Sequence, residues 1–306
     1  MTSPTLDAPA VERLISAAVA APSLRDIQPW RFGLEPDTRT LEVRAAADRV
    51  LPPADRLGRA LHLSVGCVVF NLRVVAVHLG WEPVTRLLPR PDRPDLLATV
   101  RLADATRTTP APGSYDAVWH RHSSRFPFSE VALPLDLRGE LTDAARTEGA
   151  DLVFTGHRET ERVVNATREA ERRNRKHPAH AGSRRLSRGA AGPQGASDLR
   201  PDVLPIRPLE RPPQLAVLTT ARDLPTDWLR AGQALERVLL LATECGVQAS
   251  LLHQAVEWTD LRDRVSDSAD GRRARPQTVI RLGYGPEGSL HDAATTGSGP
   301  VTHPAE

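Results

Sequence analysis

Two long apolar stretches with helical periodicity dominate the hydrophobic pattern of this chain. The first covers residues 59–79 and is followed by Gly80, and the second covers residues 228–245 and is followed by Gly246. Apolar residues at helical spacing over such lengths predict buried helices, and glycine commonly follows a helix C-terminus because it adopts the left-handed conformation without strain. Shorter amphipathic patterns predict two more helices, at residues 8–20 and 135–147.

Shorter apolar runs predict strands. Alternating residues on both sides of Pro36-Asp37 indicate a hairpin, and four further strands are expected, at residues 98–102, 150–154, 214–219 and 277–283. Residues 171–211 are rich in Pro, Gly, Arg and Ser and carry no clear period, so we expect a lid-like excursion or a disordered loop there. The polar tail after residue 285 is expected to be loose.

The order of helix and strand occurs twice along the chain. Gly66 and Gly80 bracket the first long helix, and Gly232 and Gly246 bracket the second at the same offset. A strand with the pattern Val-Arg-Leu or Ile-Arg-Leu then follows in each half. Either one α+β unit has been duplicated and fused, or the likeness arises by chance, because Leu, Val and Ala dominate every buried helix. Duplication predicts two halves, residues 1–110 and 111–306.

Composition narrows the classes of partner. The 306 residues carry a formal net charge of +2, and Lys176 is the sole lysine among 40 basic residues. Arginine supplies planar donor forks suited to phosphate. A basic cluster within residues 172–188 raises nucleic-acid binding as an alternative, but aromatic residues are not interleaved with it, so we expect no nucleic-acid partner.

Cysteine and hydropathy patterns bear on compartment. Cys67 and Cys245 each lie in an apolar run of helical period, so we interpret both as core residues of a protein in a reducing cytoplasm. The most apolar helix candidate, residues 64–79, is interrupted by Asn71 and Arg73, and no run resembles a signal peptide. We therefore expect a soluble protein with no membrane partner.

Two short motifs carry the candidate chemistry. Residues 21–30 read APSLRDIQPW, and residues 120–126 read HRHSSRF. Arginine beside serine hydroxyls can form several short charge-assisted hydrogen bonds to a phosphate, which suits Arg121, Ser123 and Arg125. Two histidines alternate in the second motif, but no carboxylate or cysteine stands at ligand spacing, so no metal site is expected.

Together these motifs resemble the FMN-dependent nitroreductases. The order here, with the Pro-Ser loop first and the Arg-x-Ser-x-Arg segment in mid-chain, is similar to the Acg-type branch, in which two nitroreductase-like halves are fused. Residues 276–285, PQTVIRLGYG, also look like that branch. The resemblance implies an α+β, nitroreductase-like fold of two half-repeats, each with an antiparallel sheet flanked by helices.

Ordinary nitroreductases are dimers that place the flavin at the interface, so the resemblance implies one flavin site at an internal pseudo-dimer seam of this chain, which could then act as a monomer. The cofactor-binding residues it implies are Pro22, Ser23, Asp26, Arg121, Ser123, Arg125, Ser250 and Leu251. Hydride transfer through flavin N5 to a nitro compound, quinone or pathway metabolite is the expected activity, with NAD(P)H as a possible donor. The alternative is a non-catalytic flavin-binding or flavin-sequestering protein.

Two departures from the family pattern bear on affinity. Asp26 stands where Asn is usual, and a carboxylate beside a reduced flavin anion is unfavourable. Residues 286–306 contain no Arg or Lys, whereas the family often uses a C-terminal basic residue to hold the phosphate. Loss of one charge-assisted contact costs about 1.5 to 3 kcal/mol, which is about ten- to a hundredfold in affinity.

Overall fold

The structure is a computed structural model that describes residues 4–23, 28–46, 58–105, 114–124, 128–176, 214–266 and 274–285. Predictions that concern Asp26, Arg125, residues 177–211 or the tail after 285 lie outside the described residues.

Helix α1 leads into the first half of the molecule. Asp7 caps this helix by accepting a hydrogen bond from the Ala10 backbone N–H at 3.0 Å, and a proline occupies its first turn, where a missing N–H does no harm. The elements of this half are α1 (Ala8–Val19), β1 (Trp30–Glu35), β2 (Thr40–Ala45), α2 (Arg59–His78), β3 (Trp81–Leu87) and β4 (Leu96–Asp104). Their strands form one antiparallel sheet in the order β1-β2-β4-β3.

The second half opens with a short helix. The elements that follow are α3 (Ser114–His120), α4 (Leu135–Thr147), β5 (Asp151–Phe154), α5 (His157–Lys176), β6 (Leu215–Thr220), α6 (Pro225–Glu244), β7 (Gln248–Leu251), α7 (Gln254–Glu257), α8 (Thr259–Ser266) and β8 (Arg275–Gly283). The second antiparallel sheet has the order β5-β6-β8-β7.

The two halves repeat one topology down to an irregularity in the sheet. Strand order matches position by position when β1 to β4 are laid on β5 to β8. The pairing register shifts after Val43 in β2 and after Leu218 in β6, which are corresponding positions in the two sheets. Gly80 directly precedes β3 and Gly246 lies two residues before β7, and both have positive φ, at 89° and 69°. The predicted two half-repeats, each with a sheet and helices, are confirmed.

The halves pack through α2 and α6, which cross at a pair of glycines. A Cβ on Gly66 would lie 2.7 Å from the Gly232 Cα and 2.2 Å from the Leu229 carbonyl oxygen. A Cβ on Gly232 would lie 2.0 Å from the Leu63 carbonyl oxygen. No side chain fits at either position, so glycine there lets the two helix backbones approach directly.

Several sequence predictions need correction. Residues 171–176 are not part of an irregular excursion, because they form the last turns of α5, which is amphipathic and buries Val163 and Ala170. Strands β3 and β7 and helices α3, α5, α7 and α8 were not predicted. Cys245 is exposed at the end of α6, so only Cys67 is a core residue.

Helix α2 is long and apolar enough, by composition, to cross a membrane, but 78% of its apolar window is buried inside the protein. Burial on every side is typical of a core helix, and Leu63, Val68, Leu72 and Val75 are fully enclosed.

Candidate functional site

Arg121 joins the two predicted motifs in space. Its backbone N–H continues α3 by donating to the Ala117 carbonyl at 2.8 Å, which fixes where the side chain starts. Its guanidinium Nη2 donates to the Ala20 carbonyl at 3.1 Å, across 101 residues of sequence. Ala20 caps the C-terminus of α1. One residue, Ala21, separates it from Pro22 and Ser23, which we call the Pro-Ser turn. Half-buried Pro22 and Ser23 therefore lie next to the residue that Arg121 contacts.

The same mid-chain segment is attached to strand β7. Ser123 forms an isolated parallel bridge with Ala249, and the Ser124 N–H donates to the Ala249 carbonyl at 2.8 Å. Ser123 is exposed, whereas Ser124 is buried. Ala249 is followed by Ser250 and Leu251, both half-buried. Of the predicted site residues within the described part of the chain, all six therefore belong to three neighbouring segments.

A buried arginine supports this corner of the second sheet. Arg281 on β8 pairs in register with Ser250, and its guanidinium carbon lies 4.2 Å from the centre of the Phe128 ring. Burial lowers the pKa of Arg281. Phe128 itself packs on Gly283, where a Cβ would come within 2.8 Å of the ring. Phe128 is thus held against β8.

Glu236 is the residue of this region that sequence reasoning missed. It lies on α6 with its side chain fully buried, and its Oε1 is 3.7 Å from Arg121 Nε. Burial raises the pKa of Glu236 to about 7, although the Arg121 charge and the Asn71 side chain act in the opposite direction. The signal that could have found it is a lone carboxylate among apolar residues in the middle of a predicted core helix.

Arg121 also bonds to the protein itself. Its side chain is 12% exposed and contacts Ala20 and Glu236. Its Nε has no hydrogen-bond partner among the described residues. Arg121 and the exposed hydroxyl of Ser123, beside the Pro-Ser turn, are groups that could hold the phosphate end of a nucleotide cofactor, whereas the buried Nε faces the Glu236 carboxylate.

The pseudo-symmetric counterpart of this region looks different. Thr85 on β3 corresponds to Leu251 on β7, because each follows its glycine, Gly80 or Gly246, at the same distance in sequence. Glu148 corresponds to Ala20, because the two residues cap the C-termini of α4 and α1. These counterparts line a cleft of about 480 Å³. The complete lining comprises Arg73, Pro83, Thr85, Leu87, Thr147, Glu148, Thr226, Arg230 and Gln233.

An ion-pair cluster forms the floor of this cleft. Glu148, with a side chain only 6% exposed, accepts hydrogen bonds from Arg73 at 2.6 Å and from Arg237 at 3.0 Å. Arg73 also donates to Gln233 at 2.9 Å. Arg73 and Arg237 are therefore already bonded to the protein, whereas Arg230 at the edge of the cleft is 53% exposed and lies 4.0 Å from Asp227.

The histidines of the second motif bond to the backbone. His120 Nδ1 is 2.8 Å from the Asp116 carbonyl, and His122 Nδ1 is 3.1 Å from the His120 carbonyl. Within the described ranges, no group of three or more His, Cys, Asp or Glu side chains could hold a metal ion.

Comparison with known proteins places these features in context. No protein-family model matches the chain. An uncharacterized protein of Mycobacterium tuberculosis H37Rv is 28% identical over 300 residues, covering 90% of this chain and 87% of that protein. "Putative NAD(P)H nitroreductase acg" of the same strain is 28% identical over 312 residues, covering 90% and 89%.

A solved structure extends the comparison to the fold. The crystal structure of "a putative nitroreductase" from Anabaena variabilis aligns with a TM-score of 0.58 at 11% identity, covering 91% of this chain and 88% of that one. Because the alignment spans both halves, the two-sheet architecture as a whole is shared with that protein.

Proposed function

We propose that this chain, which belongs to the nitroreductase superfamily, is an FMN-dependent oxidoreductase with one flavin site at the seam between its halves. The halves correspond to residues 1–110 and 111–306, so a single polypeptide supplies both sides of the site. We infer a soluble, cytoplasmic protein that acts on a small molecule, with NAD(P)H as the electron donor.

The observation that carries this proposal is the contact between Arg121 and the Ala20 carbonyl. It brings the arginine motif of one half to the Pro-Ser turn of the other. The Ser124–Ala249 hydrogen bond adds β7 to the same place. These three segments match separate parts of a flavin-binding pattern, and they are neighbours in the structure. Unrelated surface loops would not be expected to meet in this way.

Each segment has a distinct task in this proposal. Arg121 and Ser123 bind the phosphate through charge-assisted hydrogen bonds, and Arg125 stabilises negative charge on the reduced ring. Pro22, Ser23 and Asp26 contact the cofactor from the first half, while Ser250 and Leu251 contact the ring from β7. When bound, FMN supplies the redox chemistry by accepting and passing on two electrons as hydride at N5. The protein orients the cofactor and excludes water, so a catalytic side chain is not required.

Substitution of Arg121 tests this proposal. Because one charge-assisted contact contributes about 1.5 to 3 kcal/mol, Arg121→Ala should weaken FMN binding by about ten- to a hundredfold or more. Arg121→Lys keeps the charge but loses the planar fork, so an intermediate loss is expected. The control is Arg101→Ala, since Arg101 is exposed on β4 and distant in sequence from the motifs. The measurement is flavin absorbance and the stoichiometry of acid-released cofactor; full retention of FMN in Arg121→Ala would contradict the assignment.

Turnover separates an enzyme from a flavin-storing protein. An oxidoreductase should oxidise NAD(P)H with a quinone or nitroaromatic acceptor at a rate proportional to bound FMN. Stoichiometric FMN without turnover of either donor would favour sequestration.

A further inference from the structure

The polar atoms around Glu236 are unusually poorly satisfied. The Glu236 carboxylate has only loose contacts, with Arg121 Nε at 3.7 Å and with the Asn71 side chain, and neither of its oxygens makes a hydrogen bond of ordinary geometry among the described residues; the same holds for Arg121 Nε and Asn71 Oδ1. All four atoms are buried and lie where α2, α6 and the segment after α3 meet. Buried polar groups are normally paired, so a cluster of unpaired ones indicates a function other than stability.

The fold does not need a carboxylate at this position. Phe70 on α2 is the pseudo-symmetric counterpart of Glu236, because it follows Gly66 at the same distance in sequence as Glu236 follows Gly232. Phe70 is buried, at 4% exposure. The corresponding place in the first half thus holds an apolar side chain. A fully buried acid in its stead is destabilising in its charged form.

We propose that Glu236 is a proton-linked positioning residue for Arg121: as a carboxylate it draws the guanidinium into the protein, and as the neutral acid it releases Arg121 to the anionic end of the cofactor. The inference rests on the proposed FMN site. Binding of FMN is then accompanied by transfer of one proton from solvent to the Glu236 carboxylate.

Among the groups packed around Glu236, the Glu236 carboxyl is the one that gains or loses a proton near neutral pH. From the segment after α3 the facing group is Arg121, and from α2 the facing groups are the Cys67 thiol and the Asn71 amide. Helix α1 contributes the Ala17 and Ala20 carbonyls, which accept from Asn71 and Arg121. Burial and the Glu236 charge raise the pKa of Cys67 well above its usual value, so this thiol stays neutral.

The sign of the coupling follows from charge. A phosphate dianion beside Arg121 competes with the Glu236 carboxylate for the same guanidinium, so the bound state favours protonated Glu236. The pKa of Glu236 is about 7 in the free protein, and the bound phosphate should raise it further. Above pH 7 the affinity for FMN should therefore fall, by up to about tenfold per pH unit.

The test is the FMN dissociation constant of the full chain from about pH 7 to about pH 8.5, where the phosphate, with a second pKa of about 6, is already a dianion. For the wild type we expect weaker binding as pH rises, together with uptake of up to about one proton per FMN in calorimetry. Glu236→Gln, which mimics the neutral acid, should bind with a nearly constant dissociation constant and without proton uptake. Glu236→Leu provides a second variant with the same expectation. Glu244→Gln, an exposed glutamate at the end of the same helix, should keep the wild-type pH profile.

The outcomes separate this inference from the proposed function. Equal pH profiles in the wild type and Glu236→Gln would overturn the role of Glu236 while leaving the FMN site intact. Absence of FMN binding in the wild type at every pH would overturn the proposed function, and this inference with it. A purely structural role for Glu236 would change affinity at all pH values without changing the slope.

Discussion

The two halves of this protein share a scaffold and differ in what is attached to it. Both have the same strand order, with a register shift at corresponding positions. The first half connects α1 to β1 through the Pro-Ser turn, whereas in the second half only residues 148–150 separate α4 from β5. In the second half, by contrast, α5 follows β5 where the first half has a short hairpin turn between β1 and β2. The sheet and the central helix pair tolerate little change, while the connections carry the differences.

The region around Arg121 and its pseudo-symmetric counterpart differ in how their charges are arranged. Beside the Pro-Ser turn, Glu236 and Arg121 are buried close together with unpaired polar atoms. In the counterpart, Glu148 binds Arg73 and Arg237 at hydrogen-bonding distance. Around Arg121 one donor has no hydrogen bond, whereas in the counterpart Arg73 and Arg237 are used in an ion-pair network, and our proposal places the single flavin site beside Arg121 for this reason.

The largest effect is expected at the axis between the halves. In Gly232→Ala the new Cβ would lie 2.0 Å from the Leu63 carbonyl oxygen, so α2 and α6 must separate. We expect a loss of about 3 kcal/mol or more in the free energy of unfolding, measured by urea denaturation. The matched control is Gly139→Ala on α4, where nothing lies within 4 Å of the new Cβ. This control should be stabilised by about 0.5 to 1 kcal/mol, since alanine favours the helix. A Gly232 variant as stable as the wild type would refute direct contact between the helices.

A smaller effect is expected in the counterpart cleft. Glu148→Gln removes the charge that binds Arg73 and Arg237, and because both arginines remain partly exposed we expect a loss of about 1 to 2 kcal/mol in unfolding free energy. FMN content should stay at one per chain, measured by absorbance after acid release. Two FMN per wild-type chain, or loss of FMN in this variant, would show that the second cleft also binds flavin.

The smallest effect on stability is expected for the hydrogen-bonded cluster of Asp223, Arg262 and Trp228 in the second half. Partial burial by itself would raise the pKa of Asp223, but hydrogen bonds from Arg262 and Trp228 outweigh it and lower the pKa to about 2. A lowered pKa contributes stability that is present above the unfolded value, about 3.9, and is lost as pH falls toward 2. Asp223→Asn should therefore cost about 1 kcal/mol at pH 7, and the difference from the wild type should shrink below pH 4. Urea denaturation at several pH values measures this; a difference independent of pH would rule out the Asp223 charge as its source.

Local patterns predicted much of this architecture. The helices over residues 8–20, 59–79, 135–147 and 228–245 were confirmed because apolar periodicity over three or more turns depends on burial of one face. Both half-repeats were also predicted, since the spacing from Gly66 to Gly80 recurs from Gly232 to Gly246; that Gly66 and Gly232 touch was seen only in the structure. Short edge strands such as β3 and β7 were missed, because a few residues paired on one side carry too weak a pattern.

The sequence by itself determined the scaffold, since periodicity and glycine spacing are properties of neighbouring residues along the chain. It also predicted which segments carry phosphate-binding chemistry. Only the tertiary structure decided that Arg121 contacts Ala20 and faces Glu236, because those contacts join residues far apart in sequence and depend on how α1, α3 and α6 pack. Burial of Glu236 is likewise a property of three helices together, and it is burial that raises its pKa and makes it able to respond to pH.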